Sequence, residues 1–227
     1  MSRAWRGWMG AGASMTVCNM LRYGAPLRLF ATPPPSTQST PQTEEVMREV
    51  RDMLRNGVIE RVDSAQVSVG LFLVDKPKAP GQYRPIVDLR YTNRYMQKQR
   101  FRLLAFQALE ALRPKDWPFM RVDLRKGYWQ VLIRPEDRQF TGIRVGGVTY
   151  VHRALCFGAS VAPVTFQSIT EELARLDDFL LLAPSVRELL LLRGVFNDLC
   201  ARCGAILALD KSDSEPMYRG VWLGTGV

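Results

Sequence analysis

Apolar residues recur at helical spacing over Thr43–Asn56, where Val46, Met47, Val50, Met53 and Leu54 form one stripe. Thr43 can cap that helix, Glu44 and Glu45 put negative charge in its first turn, and Gly57 follows as a stop signal. Two more helical patterns cover Ala162–Arg175 and Ser185–Cys203, and Leu104–Leu112 reads as a shorter helix. Short apolar runs predict strands at Ser68–Val74, Tyr83–Leu89, Pro118–Leu124, Trp129–Arg134, Phe140–Val145, Val148–Arg153, Phe179–Ala183, Ala205–Leu209 and Tyr218–Leu223. The segment KPKAPGQ (76–82) turns the first two into a hairpin with a basic tip. Ala31–Gln42, ATPPPSTQSTPQ, reads as an extended linker without a core. Helices and strands mix without strict βαβ alternation, so the expected class is α+β.

Composition narrows the picture. The chain has 227 residues, 47% hydrophobic and 23% charged, which suits one or two domains with a real core. No run reaches the roughly 18 apolar residues of a membrane span, because the best, Phe179–Leu192, is broken by Pro184, Arg187 and Glu188. No membrane partner is expected. The formal net charge of +9 favours a polyanionic partner, nucleic acid before an acidic membrane surface. The cysteines are Cys18, Cys156, Cys200 and Cys203, and the sole histidine is His152. Cys200 and Cys203 alone are close, so four zinc ligands are hard to assemble and the thiols read as reduced residues of an intracellular protein, cytoplasmic or nuclear. One histidine and no G-x-S-x-G also argue against Ser-His-Asp hydrolysis. Residues 1–43 hold no acidic residue and carry Arg3, Arg6, Arg22 and Arg28, the composition of a mitochondrial transit peptide, although a second reading of this segment follows below.

The candidate chemistry lies in carboxylates beside apolar runs. Asp123 closes the run PFMRVDL, and Asp177–Asp178 precede FLLL. Carboxylates at adjoining strand ends can hold two Mg²⁺ ions about 3.5–4 Å apart, which activate a hydroxyl and neutralise a leaving pyrophosphate. A basic hairpin tip can hold a triphosphate. Solvated strand-end acids account for the same residues equally simply.

The order of motifs resembles the reverse transcriptase domain of retroelements over nearly the whole chain. VDKPKAPGQYRPIVDLRYTN (74–93) is similar to the family's fingers segment, with Arg84, Asp88, Arg90 and Asn93 on its fixed places. VDLRKGYWQVLI (122–133) resembles the first palm motif, RALCFGASVAPVTFQ (153–167) the next, and LDDF (176–179) the paired-aspartate motif. AILALDKS (205–212) and VWLG (221–224) resemble the last two. Trp8–Gly10, Leu21–Gly24 and Thr32–Pro35 are similar to the lead-in of DIRS (tyrosine-recombinase) elements, with a Gypsy-type element as the alternative. On that view residues 1–43 belong to the polymerase region.

The resemblance implies a right-hand polymerase: fingers over 43–118, interleaved with a palm over 119–227 whose antiparallel sheet is backed by helices, after an N-terminal extension and Pro-rich linker over 1–42. It implies RNA-directed DNA synthesis with Mg²⁺, or Mn²⁺ in its place, on an RNA template with a DNA primer or RNA/DNA hybrid and dNTPs. Asp123 and Asp177 would bind metal together with the Leu124 carbonyl, and Asp178 would support them electrostatically. Arg84 and either Lys76 or Lys78 would hold the triphosphate. Tyr128 would block a ribose 2′-OH, with a core aromatic as its other reading. Phe157 and Gly158 would pack on the incoming nucleotide and template base, and Gln167 would lie at the fingers–palm junction. Lys211 would protonate pyrophosphate, with a plain surface lysine as its other reading.

The chain also departs from the family. Gln167 and Asp177 are ten residues apart, about half the family's usual separation, and the missing part is the strand that climbs to the paired aspartates. Arg175 stands where tyrosine is usual, and Cys156 where proline is common. Asp177 is therefore expected to be misplaced or the palm strained, and activity weak or lost. The sequence stops at Val227, just past the last palm motif, so a thumb and any ribonuclease H, integrase or recombinase region are expected to be missing, and a thumb or ribonuclease H supplied by another chain is one expectation. Three readings remain open: a shortened and inactive copy, a working minimal enzyme completed by another chain, and a non-catalytic nucleic-acid-binding module.

Overall fold

The helix over Glu44–Arg55 forms where its apolar stripe and cap predict. The Val46 N–H donates to Thr43 Oγ1 at 3.3 Å, the stripe residues Val46, Val50 and Met53 are buried, and Gly57 ends the helix at φ +65°. The computed structural model describes residues 1–76, 79–98, 116–176, 180–218, 221–222 and 225–226. In chain order the helices are α1 (Trp5–Gly10), α2 (Met15–Tyr23), α3 (Glu44–Arg55), α4 (Arg90–Asn93), α5 (Ala162–Leu176) and α6 (Val186–Arg202). The strands are β1 (Ser36–Thr37), β2 (Ile59–Val62), β3 (Val67–Val69), β4 (Leu71–Lys76), β5 (Ala79–Val87), β6 (Phe119–Arg121), β7 (Gly142–Val145), β8 (Val148–His152), β9 (Leu180–Leu182), β10 (Val221–Trp222) and β11 (Thr225–Gly226). The predicted helix Leu104–Leu112 lies outside the described residues. None of the described helices is long and apolar enough to cross a membrane.

The chain divides into two compact units of interleaved segments. Met1–Asn19, Arg100–Gly127 and Gln167–Val227 form the first; Met20–Gln99 and Tyr128–Phe166 form the second.

The second unit is built on a five-stranded sheet of order β1-β3-β7-β8-β2. β7 and β8 form a hairpin across Gly146 and Gly147, which take the positive φ values (+56° and +79°) that a tight two-residue turn needs. β2 adds antiparallel to β8 from Ile59↔His152 to Val62↔Thr149, and β3 adds parallel to β7. The alternating sides of these strands bury Ile59, Val67, Val69, Ile143 and Val151. His152 is buried within this sheet. Its Nδ1 lies 2.9 Å from the Thr141 carbonyl, and desolvation pushes the imidazole down to about 4, so it is neutral at ordinary pH. β4 and β5 pair separately as the expected hairpin, Leu71↔Val87 to Asp75↔Tyr83. The run Ser68–Val74 is not one strand: Gly70 divides it between the sheet and the hairpin.

Other expectations are corrected here. Ala31–Gln42 is extended but is not free-standing: Ser36–Thr37 pairs in parallel with Val67–Ser68, and Thr40 is buried against β7, with its N–H on the Arg144 carbonyl. Proline-rich composition marks extension correctly, but it does not reveal a distant parallel partner. Trp129–Arg134 is not a strand either. Its start lies in a 3₁₀ turn over Gly127–Gln130, and only single bridges follow, Leu132↔Ala154 and Ala25↔Ile133.

In the first unit, β6 and β9 pair antiparallel, Phe119↔Leu182 to Arg121↔Leu180, and α6 packs on them through Leu189, Phe196 and Leu199. Ser185 caps α6 by accepting the Glu188 N–H at 3.3 Å. α1 docks at the other end of α6: the fully buried Trp8 donates its indole N–H to the Cys203 carbonyl at 2.7 Å, and Gly7 packs so tightly on Arg202 that a Cβ would overlap its carbonyl. α5 runs to Leu176 and β9 begins at Leu180. Of the predicted strands at the chain's end, Ala205–Leu209 is reduced to one bridge, Leu124↔Leu207, before turning, and Tyr218–Leu223 lies partly outside the described residues, with Val221–Trp222 in β10.

Candidate active site

Asp123 follows β6 by two residues and is fixed through its backbone. Its N–H donates to Ser212 Oγ at 3.0 Å, and its carbonyl accepts the Ala208 N–H at 2.7 Å. The Arg125 N–H donates to the Ile206 carbonyl at 2.8 Å, so Leu124 sits at the bridge position whose own N–H and carbonyl point away from the 206–208 segment. The segment opposite is shaped by a turn in which Lys211 and Ser212 both donate to the Ala208 carbonyl, at 3.0 and 2.9 Å. That turn brings Lys211 Nζ to 3.8 Å from Asp123 Oδ2, with the Asp123 side chain 53% exposed. Next to it, Arg121 grips Asp213: its backbone N–H reaches Oδ2 at 2.7 Å and its Nη2 reaches Oδ1 at 2.7 Å. The hydrogen bonds to Asp213 raise the Arg121 pKa further above its ordinary value. The first unit therefore brings together Asp123, Leu124 and Lys211. Asp177 and Asp178 lie outside the described residues. Among the described residues no group of three or more metal-ligating side chains occurs.

The second unit brings together Arg84, Tyr128, Phe157 and Gly158. The Arg84 guanidinium lies 5.5 Å from the centre of the Phe157 ring, and Tyr128 meets Phe157 at 4.9 Å and Phe166 edge-on at 5.2 Å. Burial raises the Tyr128 phenol above its ordinary pKa. The Val87 N–H donates to the Phe157 carbonyl at 3.0 Å, and Gly158, at φ +114°, passes so close that a Cβ would overlap the Val87 carbonyl. Cys156, just before them, is buried, and its thiol is pushed up to about 12, an inert packing residue. Asp88, whose pKa is lowered by its hydrogen bonds from Arg90, holds Arg90 at 2.7 Å.

Gln167 donates to Glu171 Oε1 one turn along α5 at 2.6 Å. Lys76 ends β4 opposite Ala79, and Lys78 lies outside the described residues.

Reasoning from sequence also missed several supports. Ser212 ends the AILALDKS motif, yet nothing in the sequence marks its hydroxyl as the acceptor of the Asp123 N–H. The Arg121–Asp213 pair spans 92 residues. Asn93 holds a fixed place in the fingers pattern; the structure adds that its Nδ2 donates to the Gly158 carbonyl at 2.8 Å and its Oδ1 accepts the Ser160 N–H at 2.9 Å.

Comparison with known proteins identifies the fold and the family. A genome polyprotein of Petunia vein clearing virus is 25% identical over 176 residues, covering 73% of this chain and 8% of the viral protein. The Pol polyprotein of transposon 297 from Drosophila melanogaster is 28% identical over 182 residues, 74% of this chain and 17% of that one. The chain thus spans a small part of the curated relatives it matches. Among solved structures, foamy viral protease-reverse transcriptase in complex with double-stranded DNA superposes with a TM-score of 0.73 at 22% identity, covering 87% of this chain and 36% of that one. The same enzyme in complex with an RNA/DNA hybrid gives 0.72 at 20% identity, with 87% and 28% covered. The α+β architecture is that of reverse transcriptase fingers and palm. The family described as reverse transcriptase (RNA-dependent DNA polymerase) matches residues 74–226, and the chain belongs to it.

Proposed function

We propose that this chain supplies the fingers and palm of an RNA-directed DNA polymerase, adding deoxynucleotides to a primer 3′-OH. The observation that carries the proposal is Asp123: an open carboxylate at a strand end, immobilised by backbone bonds on both sides, with Lys211 within 3.8 Å. The donors described there suit a hard divalent cation, since a carboxylate and the outward-facing Leu124 carbonyl are both oxygen ligands. Asp123, Leu124 and Asp177 would hold Mg²⁺ or Mn²⁺, with Asp178 as electrostatic support. When bound, such ions lower the pKa of an attacking hydroxyl and neutralise a leaving pyrophosphate.

The protein's own groups would do the rest. Arg84, steadied on Phe157, would pair with phosphates through its planar fork, and Lys76 or Lys78 would assist. Tyr128, wedged between two phenylalanines, would present a fixed ring against a 2′-OH. Phe157 and Gly158 would form the shelf under the nucleotide and template base. Lys211 would carry the proton given to pyrophosphate. Template RNA, DNA primer or hybrid would be held chiefly through phosphates, so binding should weaken with salt. The fingers reading of 43–118 and the palm reading of 119–227 follow the same assignment, within an intracellular setting. The lead-in motifs favour a DIRS-type origin over a Gypsy-type one.

A second reading has its own support. Only three residues separate the end of α5 from β9, and β6 and β9 form a two-stranded sheet among the described residues. That brevity supports an internally shortened palm, in which Asp177 is badly aimed and the chain binds nucleic acid with little or no synthesis.

Primer extension decides between the two. With an RNA template, DNA primer, dNTPs and Mg²⁺ or Mn²⁺, extension that Asp123→Asn abolishes supports the polymerase. Hybrid binding without extension sinks it in favour of the binding module.

A further inference from the structure

Segments 28–30 and 95–97 meet in a short antiparallel ladder in the second unit. Leu29 faces Met96, the Phe30 N–H donates to the Tyr95 carbonyl at 3.0 Å, and the Gln97 N–H donates to the Arg28 carbonyl at 2.9 Å. Strand alternation turns Met96 into the core and Phe30 and Tyr95 the other way. Phe30 is 64% exposed and stacks on Tyr95 with centroids 6.4 Å apart and planes at 29°. Tyr95 meets Tyr91 at 5.7 Å. Tyr91 is anchored by its hydroxyl, which donates to the Pro34 carbonyl at 3.1 Å, and Arg94 lies over its ring at 5.0 Å. Three rings and a guanidinium thus form one continuous surface, and neither the core nor the nucleotide shelf accounts for it.

The two segments that carry the rings hold charge of one sign. Residues 20–43 and 89–98 contain Arg22, Arg28, Arg90, Arg94 and Lys98 and no acidic residue. The nearby acids are engaged: Asp88 holds Arg90, and Asp137 accepts the Leu27 N–H and pairs with Arg134. A positive field favours a polyanion, and an exposed Phe30 ring backed by the half-buried Tyr91 and Tyr95 favours one whose bases are unpaired, because a duplex hides its base faces in its own stack. The surface is also tied to the shelf. Asn93 shares the α4 turn with Tyr91, and its carboxamide grips the 158–160 loop through both its donor and its acceptor.

We propose that Phe30, Tyr91 and Tyr95, with Arg94, form a stacking platform for single-stranded nucleic acid, namely the unpaired template beyond the polymerisation site. This rests on the polymerase reading for the identity of the strand but not for the binding itself.

The test is fluorescence anisotropy with the full chain, a short mixed-sequence single-stranded RNA, and a blunt RNA/DNA hybrid. Phe30→Ser and Arg94→Glu change exposed groups, and a thermal melt checks that both variants remain folded. The expected result is about tenfold weaker single-strand binding for Phe30→Ser, with hybrid affinity unchanged. Equal losses on both probes would overturn the platform in favour of a general electrostatic footprint. Unchanged single-strand binding by both variants would overturn it too, and would point to a protein partner for the rings. In either case, extension abolished by Asp123→Asn would leave the polymerase reading standing.

Discussion

The two clusters of expected site residues, one in each unit, are held by opposite means. Around Asp123 the restraints are polar and run through the backbone: Ser212, Ala208 and Ile206 fix the main chain, and the Arg121–Asp213 pair fixes the strand before it. The Asp123 side chain stays half open. Around Tyr128 the restraints are ring contacts with Phe157 and Phe166 and a glycine pressed against Val87. On the proposed function, the difference follows from the chemistry each cluster would offer. A carboxylate that is to take a ligand has to keep its oxygens unencumbered, so rigidity must come from elsewhere in the residue. A surface that is to carry a flat base has to be apolar, and rigidity then comes from side-chain packing itself.

The contrast can be broken most sharply at Gly158. Gly158→Ala combines a left-handed backbone with a clash against the Val87 carbonyl, and should cost about 4 kcal/mol in urea unfolding. A loss below about 1 kcal/mol would mean the shelf yields, against the rigid packing described here. His152 tests the second unit by pH. Its folded pKa is depressed to about 4 from an ordinary 6.5, so the unfolded chain binds the proton first. Stability from this residue is full above pH 6.5 and is lost as pH falls towards 4, on the order of 3 kcal/mol in all. His152→Gln should flatten that slope in unfolding measured from pH 7.5 to pH 4. In the first unit, Asp213→Ala leaves Arg121 partly buried without its carboxylate. The cost should be about 2 kcal/mol, moderated by solvent at the arginine. Asp123→Asn should change stability least, by under about 0.5 kcal/mol, because it leaves every backbone bond in place. A large destabilisation there would show that the acid is a structural residue and would remove the contrast altogether.

Much of this was legible in the sequence because it is local. The α3 stripe and its Thr43 cap, the Ser185 cap of α6, the β7–β8 hairpin and the β4–β5 hairpin all depend on residues close in the chain. Motif order singled out Asp123 and Lys211 as candidates, but their 3.8 Å approach depends on the Ala208–Ser212 turn and was not legible in spacing. What escaped depends on distant partners. Ser36–Thr37 becomes a strand only because Val67–Ser68 offers it an edge. Trp129 to Arg134 alternates well enough to look like a strand, but a 3₁₀ turn takes its start and no continuous neighbour is available for the rest. Ser212 and Asn93 act through single hydrogen bonds to the backbone of remote segments, and no periodicity announces such bonds.

The parallel addition of β1 to β3 has a practical consequence for where this protein can be cut. The family match begins at residue 74, after three of the five strands of the main sheet. A fragment trimmed to that boundary would keep β7 and β8 as a bare hairpin with both edges open, and an isolated two-stranded hairpin is marginal in water and prone to recruit other strands. Any expression fragment, or any recombination that moves this domain between elements, has to carry the chain from before Ser36 to keep the main sheet whole.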